Sequence, residues 1–485
     1  MSDSIAALDA VAQAERVRSG ELTPAELVEG AISRIERLDG KLGSVIHRAF
    51  DEARQAARDP SLPDGPFRGV PFLMKDIGGE EAGRPNHMGM AALKRAGWLE
   101  PTDSYFARRI RSSGFVSLGR TNTPELALLP TTEPEAYGAT RNPWNLDRIA
   151  GGSSGGAAAA VAAGLVPVAH ASDGGGSIRG PASVCGLVGL KPTRGRNSFG
   201  PGRGERWSGF SCEFVVSRSV RDSAALLDVT SGPMPGDPYS AAPPERPFSV
   251  LATLDPGPLR IGFMRAAPRD LEIDAECVRA VEAGARALEE LGHHVEEAHP
   301  PALEDPGCVA NYVRVVTANT ARALESTGAK LGRELGEDDV EPLTWALASQ
   351  GRQLGATGLL ETLEFVHGFG RRVASWWHDD GFDLLLTPTQ GAVPAPLGHI
   401  TSTREEPFRA FLRAAPFGVF TLPFNLTGQP AISLPLHWTD DGLPLGIQLV
   451  ADTGREDLLL QVAGRLEAVR SWSERWPATR ASDVG

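Results

Sequence analysis

Gly151-Gly152-Ser153-Ser154-Gly155-Gly156 and Asp173-Gly174-Gly175-Gly176-Ser177-Ile178-Arg179 are two serine-bearing glycine turns, with Ser153 and Ser177 standing 24 residues apart. Glycine lets consecutive backbone N–H groups turn toward one point, the geometry that holds a negatively charged oxygen. A hydroxyl accompanies each turn, so the pair reads as a nucleophile beside an anion hole and a second hydroxyl able to relay its proton. Between them Ala157 to Leu165 is almost all Ala, Val and Gly. That composition suits a helix packed inside a core, tying the two turns together.

Outward from these turns, the apolar run Gly69-Val70-Pro71-Phe72-Leu73-Met74 reads as a buried strand that ends at Lys75-Asp76. Upstream, Thr23-Pro24-Ala25-Glu26 is a capping box with Pro at the first helical position, followed by Leu27, Ala31, Ile35 and Leu38 on one face. Tyr105 to Gly114 reads as helix and Phe115 to Leu118 as strand, whereas Trp144 to Arg148 makes a poor strand. Downstream, 231–247 is rich in Pro, Gly and Ala and reads as a linker or long surface loop. Strands are expected at Leu259 to Phe263 and His294 to Glu296, around a helix capped by Asp274 and closed by Gly292. Helical character then runs from Cys308 to about Asp379. Strands at Phe382 to Leu386 and Ala431 to Leu436 precede a helix with Leu458, Leu459, Val462, Ala463 and Leu466 on one face. This alternation implies a layered α/β architecture.

The 485 residues are 41% hydrophobic, enough for a substantial core, and their formal charge of −13 argues against nucleic acid or an anionic membrane surface as partner. Cys185, Cys212, Cys277 and Cys308 are scattered, without the spacing of a zinc knuckle or a disulfide framework. No signal peptide and no run of 18 apolar residues is read in the chain. A soluble protein of the reducing cytoplasm is expected, with no metal and no cofactor.

A serine hydroxyl needs a base within hydrogen-bond reach to act as a nucleophile. Three readings stand open, two bases for Ser177 and one alternative nucleophile. His170 precedes it by seven residues but closes a Val-Pro-Val-Ala run, where a packed core histidine is the commoner reading. The Gly-x-Ser-x-Gly pattern of Gly151 to Gly155 would instead make Ser153 the nucleophile of an elbow, which should follow a strand directly. Lys75 is one of only five lysines and sits at a strand end. As a base it must be neutral, and an ordinary lysine pKa of ~10.4 leaves about one in a thousand neutral near pH 7. Burial has to lower that value by roughly three units. The Phe72-Leu73-Met74 flank suits such burial, and a nearby Asp76 carboxylate would oppose it.

Together Lys75, the Gly151 to Gly156 turn, the Asp173 to Arg179 turn and Gly189-Leu190-Lys191-Pro192-Thr193 resemble the amidase signature family of serine hydrolases. The likeness extends through Arg120-Thr121-Asn122-Thr123-Pro124-Glu125, Arg141 to Asn145, Leu385 to Thr389, Pro423 to Pro430 and Gly442 to Gln448, in family order along essentially the whole chain. It implies the amidase signature fold, a large mixed twisted β-sheet covered by helices on both faces. The chain is therefore expected to be a single domain over 1–485: a helical cover to about 65, a signature core over about 66–230, a loop at 231–248, and a remainder to 485 that completes the sheet and cleft. The resemblance also implies a triad of Ser177, Ser153 and Lys75. The 24-residue spacing selects Ser153 over Ser154 as the relay, with a cis peptide expected before it. The N–H groups of Gly174, Gly175, Gly176 and Ser177 are then the oxyanion hole, Ser154 and Asp173 are supporting residues, and Arg179 anchors the signature loop. Lys191 is read as structural.

Gly174 departs from the commoner family pattern, in which a larger residue follows the Asp, and is expected to loosen the hole, to admit a bulkier substrate, or to be harmless. Thr131 to Trp144 and Lys191 to Arg196 look most like the branch of 6-aminohexanoate cyclic dimer hydrolases. The expected substrate is a small, fairly apolar linear or cyclic amide such as an aminohexanoate-type oligomer or an aryl amide. A carbamate of the urethane type is the alternative, and a glutaminase subunit of a tRNA-dependent amidotransferase lies further off. Candidate lining residues are Asn86, His87, Met88, Leu128, Tyr137, Arg196, Val316 and Phe420. Family analogy points to a homodimer.

Overall fold

The computed structural model describes residues 5–481. Its strands, in chain order, are β1 Val45–Arg48, β2 Pro71–Lys75, β3 Val116–Thr121, β4 Arg141–Asn142, β5 Asn145–Ile149, β6 Val168–Asp173, β7 Val188–Lys191, β8 Cys212–Ser217, β9 Arg260–Phe263, β10 His294–Glu297, β11 Leu384–Pro388, β12 Ala431–Trp438 and β13 Pro444–Ala451. Eleven form one mixed sheet in the order β1-β3-β2-β6-β8-β7-β12-β13-β11-β9-β10. Parallel pairing is confined to two groups, β3-β2-β6 and β11-β9-β10, and the remaining neighbours are antiparallel. Every residue of β2, β7, β8, β11 and β13 is buried. Successive strand residues point to opposite faces, so unbroken burial means that helices cover both faces of the sheet.

Local signals explain much of the element order. Thr23 caps the helix Pro24–Leu42 by accepting the Glu26 N–H, and the Glu26 carboxylate accepts the Thr23 N–H at 2.8 Å, completing the capping box. The expected N-terminal cover also contributes β1, an edge strand antiparallel to β3. Asp274 caps Ala275–Glu290 as its sequence suggests, and the helical stretch begins at Gly307 and divides into Gly307–Leu331, Pro342–Gln353 and Gly355–Asp379. No helix or strand occurs over 231–247. Among the described residues no helix is long and apolar enough to cross a membrane.

The structure departs from the sequence expectation before the first glycine turn and agrees with it after that turn. The segment before Gly151, whose Asn145-Leu146-Asp147-Arg148 run is poor in β-formers, is nonetheless the strand β5, paired with β4 in a separate two-stranded ribbon. Local hydrogen bonding to β4 and to the Ala395 carbonyl, which accepts the Ile149 N–H at 2.9 Å, outweighs the weak intrinsic preference. After the turn, Gly155–Ala162 is a helix in which every residue is buried. Its Gly, Ala and Val side chains leave room for β2, β6 and β8 to pack against it.

Candidate active site

Because β2 and β6 are parallel neighbours, their carboxyl ends reach the same edge of the sheet. Lys75 ends β2, while Ser172 and Asp173 end β6. The chain entering Gly155–Ala162 brings Ser153 and Ser154 to that edge. There Lys75 Nζ lies 2.7 Å from Ser153 Oγ, 2.9 Å from Ser154 Oγ and 3.0 Å from Ser172 Oγ. A neutral amine has two N–H donors and one lone pair, so three hydroxyl contacts match it fully when one hydroxyl donates.

Burial, the largest influence on Lys75, pushes its pKa down to about 7, against the opposing pull of Asp173 and Glu213 and with help from Arg206. Asp76 does not act on it in this way. Its carboxylate accepts the N–H groups of His87 at 2.9 Å and Gly89 at 3.0 Å and faces His47. His170 lies on β6 with its Nδ1 accepting the Lys75 backbone N–H at 3.3 Å, packed against Phe106. Burial holds this imidazole neutral.

The Gly152–Ser153 peptide is cis, and the Ser153 carbonyl accepts a hydrogen bond from Thr123 Oγ1 at 2.9 Å. Thr132 Oγ1 donates to the Gly151 carbonyl at 3.0 Å and accepts the Gly155 N–H at 3.2 Å, bracing both sides of the turn.

The second turn is held from behind. Arg179 and Asp173 form an ion pair of 2.8 Å in which neither side chain is exposed. Burial alone would raise the Asp173 carboxyl, but the Arg179 guanidinium holds it well below the usual carboxylate range. Arg179 also donates to Gln448 Oε1 at 2.7 Å, Asn425 Oδ1 at 2.6 Å and the Thr421 carbonyl at 3.0 Å, and Asn425 Nδ2 returns a bond to Asp173 Oδ1 at 2.9 Å. Asp173 further accepts the N–H of Gly176 at 2.8 Å and of Ile178 at 3.1 Å. The expected hole is therefore corrected at one position. The Gly176 N–H is spent on the Asp173 carboxylate, and Gly174, Gly175 and Ser177 keep N–H groups with no hydrogen bond among the described residues.

Gly174 does not leave an open space. A Cβ there would meet Trp207 Cε3 at 3.0 Å, so the indole occupies the room that a larger residue would fill.

These turns border a cavity of about 830 Å³ lined by Gly152, Ser153, Ser172, Gly174, Gly175, Gly176 and Ser177. That volume suits a small organic molecule. Among the described residues seven non-glycine residues have positive φ, and Met88, Leu126, Ala127, Trp207 and Ser208 among them line this cavity. Such backbone costs energy and concentrates where surrounding structure enforces a particular wall.

Of the candidate lining residues, Met88 and Leu128 border the cavity. Asn86 and His87 are turned into the protein, with His87 between the Tyr137 hydroxyl and the Trp98 carbonyl. Arg196 forms a buried ion pair with Glu456 at 2.7 Å, Val316 packs with Leu343 and Leu347, and Phe420 packs in a cluster with Phe424. Asn86, His87, Tyr137, Arg196, Val316 and Phe420 thus lie outside the cavity lining. Lys191 is buried with Nζ donating to the Pro192 carbonyl at 3.0 Å. Ser172, Trp207 and Tyr312 were not singled out by sequence; only the position of Ser172 directly before the Asp173 turn hinted at a role.

The Amidase family matches residues 26–460. Over 477 residues the chain is 44% identical to the 6-aminohexanoate-cyclic-dimer hydrolases of Pseudomonas sp. strain NK87 and Paenarthrobacter ureafaciens, covering 97% of this chain and 96% of each relative. A solved structure of 6-aminohexanoate cyclic dimer hydrolase is similar with a TM-score of 0.94 at 43% identity, over 98% of this chain and 99% of that one. A bacterial aryl acylamidase is similar with a TM-score of 0.87 at 28% identity, over 96% and 97%. With the family match over most of its length, the identity to these relatives and the likeness to the solved structures in agreement, this chain belongs to the amidase signature family.

Proposed function

We propose that this chain hydrolyses small, fairly apolar amides through an acyl-enzyme, with Ser177 as nucleophile, Ser153 as proton relay and Lys75 as base. One observation carries the reading: the wholly buried Lys75 amine, with its pKa pushed down to about 7, lies 2.7 Å from Ser153 Oγ at a cavity that Ser177 also lines.

Neutral Lys75 accepts the Ser153 proton as Ser153 accepts that of Ser177, and Ser177 Oγ bonds to the amide carbon. The carbonyl electron pair moves onto oxygen, held by the N–H groups of Gly174, Gly175 and Ser177. When the C–N bond breaks, nitrogen takes its proton from Ser153, which recovers one from Lys75. Water then attacks the acyl-enzyme by the same relay, and the acid departs as Ser177 regains its proton.

Leu126, Leu128, Leu129, Phe411, Phe417 and Leu422 make much of the cavity wall apolar. This wall and the named activities of the relatives favour linear or cyclic aminohexanoate-type amides or aryl amides, and disfavour glutamine as substrate. A carbamate would use the same triad and release carbon dioxide after the acyl-enzyme breaks down. We also read the chain as one domain, since strands from both ends share the sheet.

Ser177→Ala is expected to abolish both turnover and covalent labelling by a fluorophosphonate, and retained turnover would sink the proposal. Mass spectrometry of products from matched amides, carbamates and esters identifies the substrate class.

A further inference from the structure

Gly174 and Gly175 do not have the positive φ that makes glycine obligatory on backbone grounds. What constrains them is proximity. Trp207 covers Gly174, and a Cβ on Gly175 would collide with the Tyr312 hydroxyl and meet its Cζ at 3.0 Å. Tyr312 projects from the helix Gly307–Leu331 and lines the cavity. Its ring is stacked on Phe210 at 6.0 Å with an interplanar angle of 7°, and Trp207 meets it edge-on at 6.5 Å. The phenol is therefore gripped on two sides, with its hydroxyl directly over the turn that offers N–H groups to a substrate oxygen.

That hydroxyl makes no hydrogen bond among the described residues, although a phenol in such surroundings ordinarily finds a partner. The turn beneath it is one donor poorer than its glycines suggest, because the Gly176 N–H is held by Asp173. An idle donor thus lies beside a hole with a spent one.

We propose that Tyr312 is a further catalytic residue whose O–H donates to the substrate carbonyl oxygen as negative charge develops there, adding a side-chain donor to the backbone hole. This rests on Ser177 being the nucleophile. A donor aimed at developing charge stabilises the transition state more than the ground state, so its loss falls on kcat. Burial pushes the Tyr312 pKa upward, which keeps the proton on the phenol throughout the working range.

Tyr312→Phe retains the stacked ring and removes only the O–H. For an amide and an ester sharing one acyl group, it is expected to lower kcat by on the order of 100-fold on both, with little change in KM. Fluorophosphonate labelling of Ser177 should slow in parallel. Unchanged kcat overturns the proposal, as does a rise in KM alone, which would mark a ground-state contact. A loss seen with the amide but not the ester also overturns it, because the hydroxyl would then serve the departing nitrogen. If Ser177→Ala retains turnover, the triad falls and this proposal with it. If Ser177→Ala is dead while Tyr312→Phe is fully active, only the role of Tyr312 is lost.

Discussion

Lys75 Nζ and Ser153 Oγ approach to 2.7 Å at a point where the lysine has no solvent exposure. Burial favours the neutral amine, and a pKa of about 7 leaves it able to accept a proton near neutrality. The sign is definite: protonation below that value removes the base. On the proposed mechanism kcat/KM rises with pH through about 7 to a plateau, falling about tenfold per unit on the acid side. A pH profile of kcat/KM measures this, and a flat acid limb across that range would count against Lys75 as base. Lys75→Ala should cost nearly as much as Ser177→Ala, because residues acting as a unit are not additive.

Ser172 supplies the third contact of the Lys75 amine, at 3.0 Å. Ser172→Ala removes one hydrogen bond from a buried group, worth about 1 kcal/mol net. The expected result is a fall of roughly fivefold in kcat/KM with KM preserved, together with a displaced acid limb. Steady-state kinetics across pH would reveal an unmoved limb if the contact were incidental.

Asp173 and Arg179 are paired without exposure behind the turn that carries Ser177. Arg179→Met would leave a buried carboxylate uncompensated, at a cost of about 3–5 kcal/mol. A lower urea midpoint than that of Ser177→Ala, which removes only a hydroxyl, is the expected reading. Equal midpoints would show that the turn does not depend on this pair.

At Gly174 the Trp207 indole stands where a side chain would go. Gly174→Val is expected to displace the indole and depress kcat/KM, while Gly174→Val combined with Trp207→Leu should recover part of the loss. A double-mutant cycle gives the coupling directly, and purely additive effects would separate the two residues.

The two glycine turns, the capping box of Thr23 and Glu26, the buried strand ending at Lys75 and the Asp274 cap could be read directly because their signals lie within a few consecutive residues. Hydrogen bonds to near neighbours and the period of apolar residues carry that information in the chain itself. The strand Asn145–Ile149 was not legible for the opposite reason, since its pairing with Arg141–Asn142 and with Ala395 overrides a weak local preference. The blocks containing Asn425 and Gln448 stood out as family-like, yet their grip on Arg179 across more than 200 residues of sequence had no local sign.

By itself, then, the sequence determined which residues the proposed chemistry calls on: two serine turns at a set spacing, a scarce lysine at a strand end, and the glycines between them. Only the tertiary structure decided how those groups are tuned. It buried Lys75 among three hydroxyls, turned the Gly176 N–H away to Asp173, and set Trp207 and Tyr312 against Gly174 and Gly175. Backbone geometry is encoded locally, whereas desolvation and close approach depend on what distant segments bring to the same place.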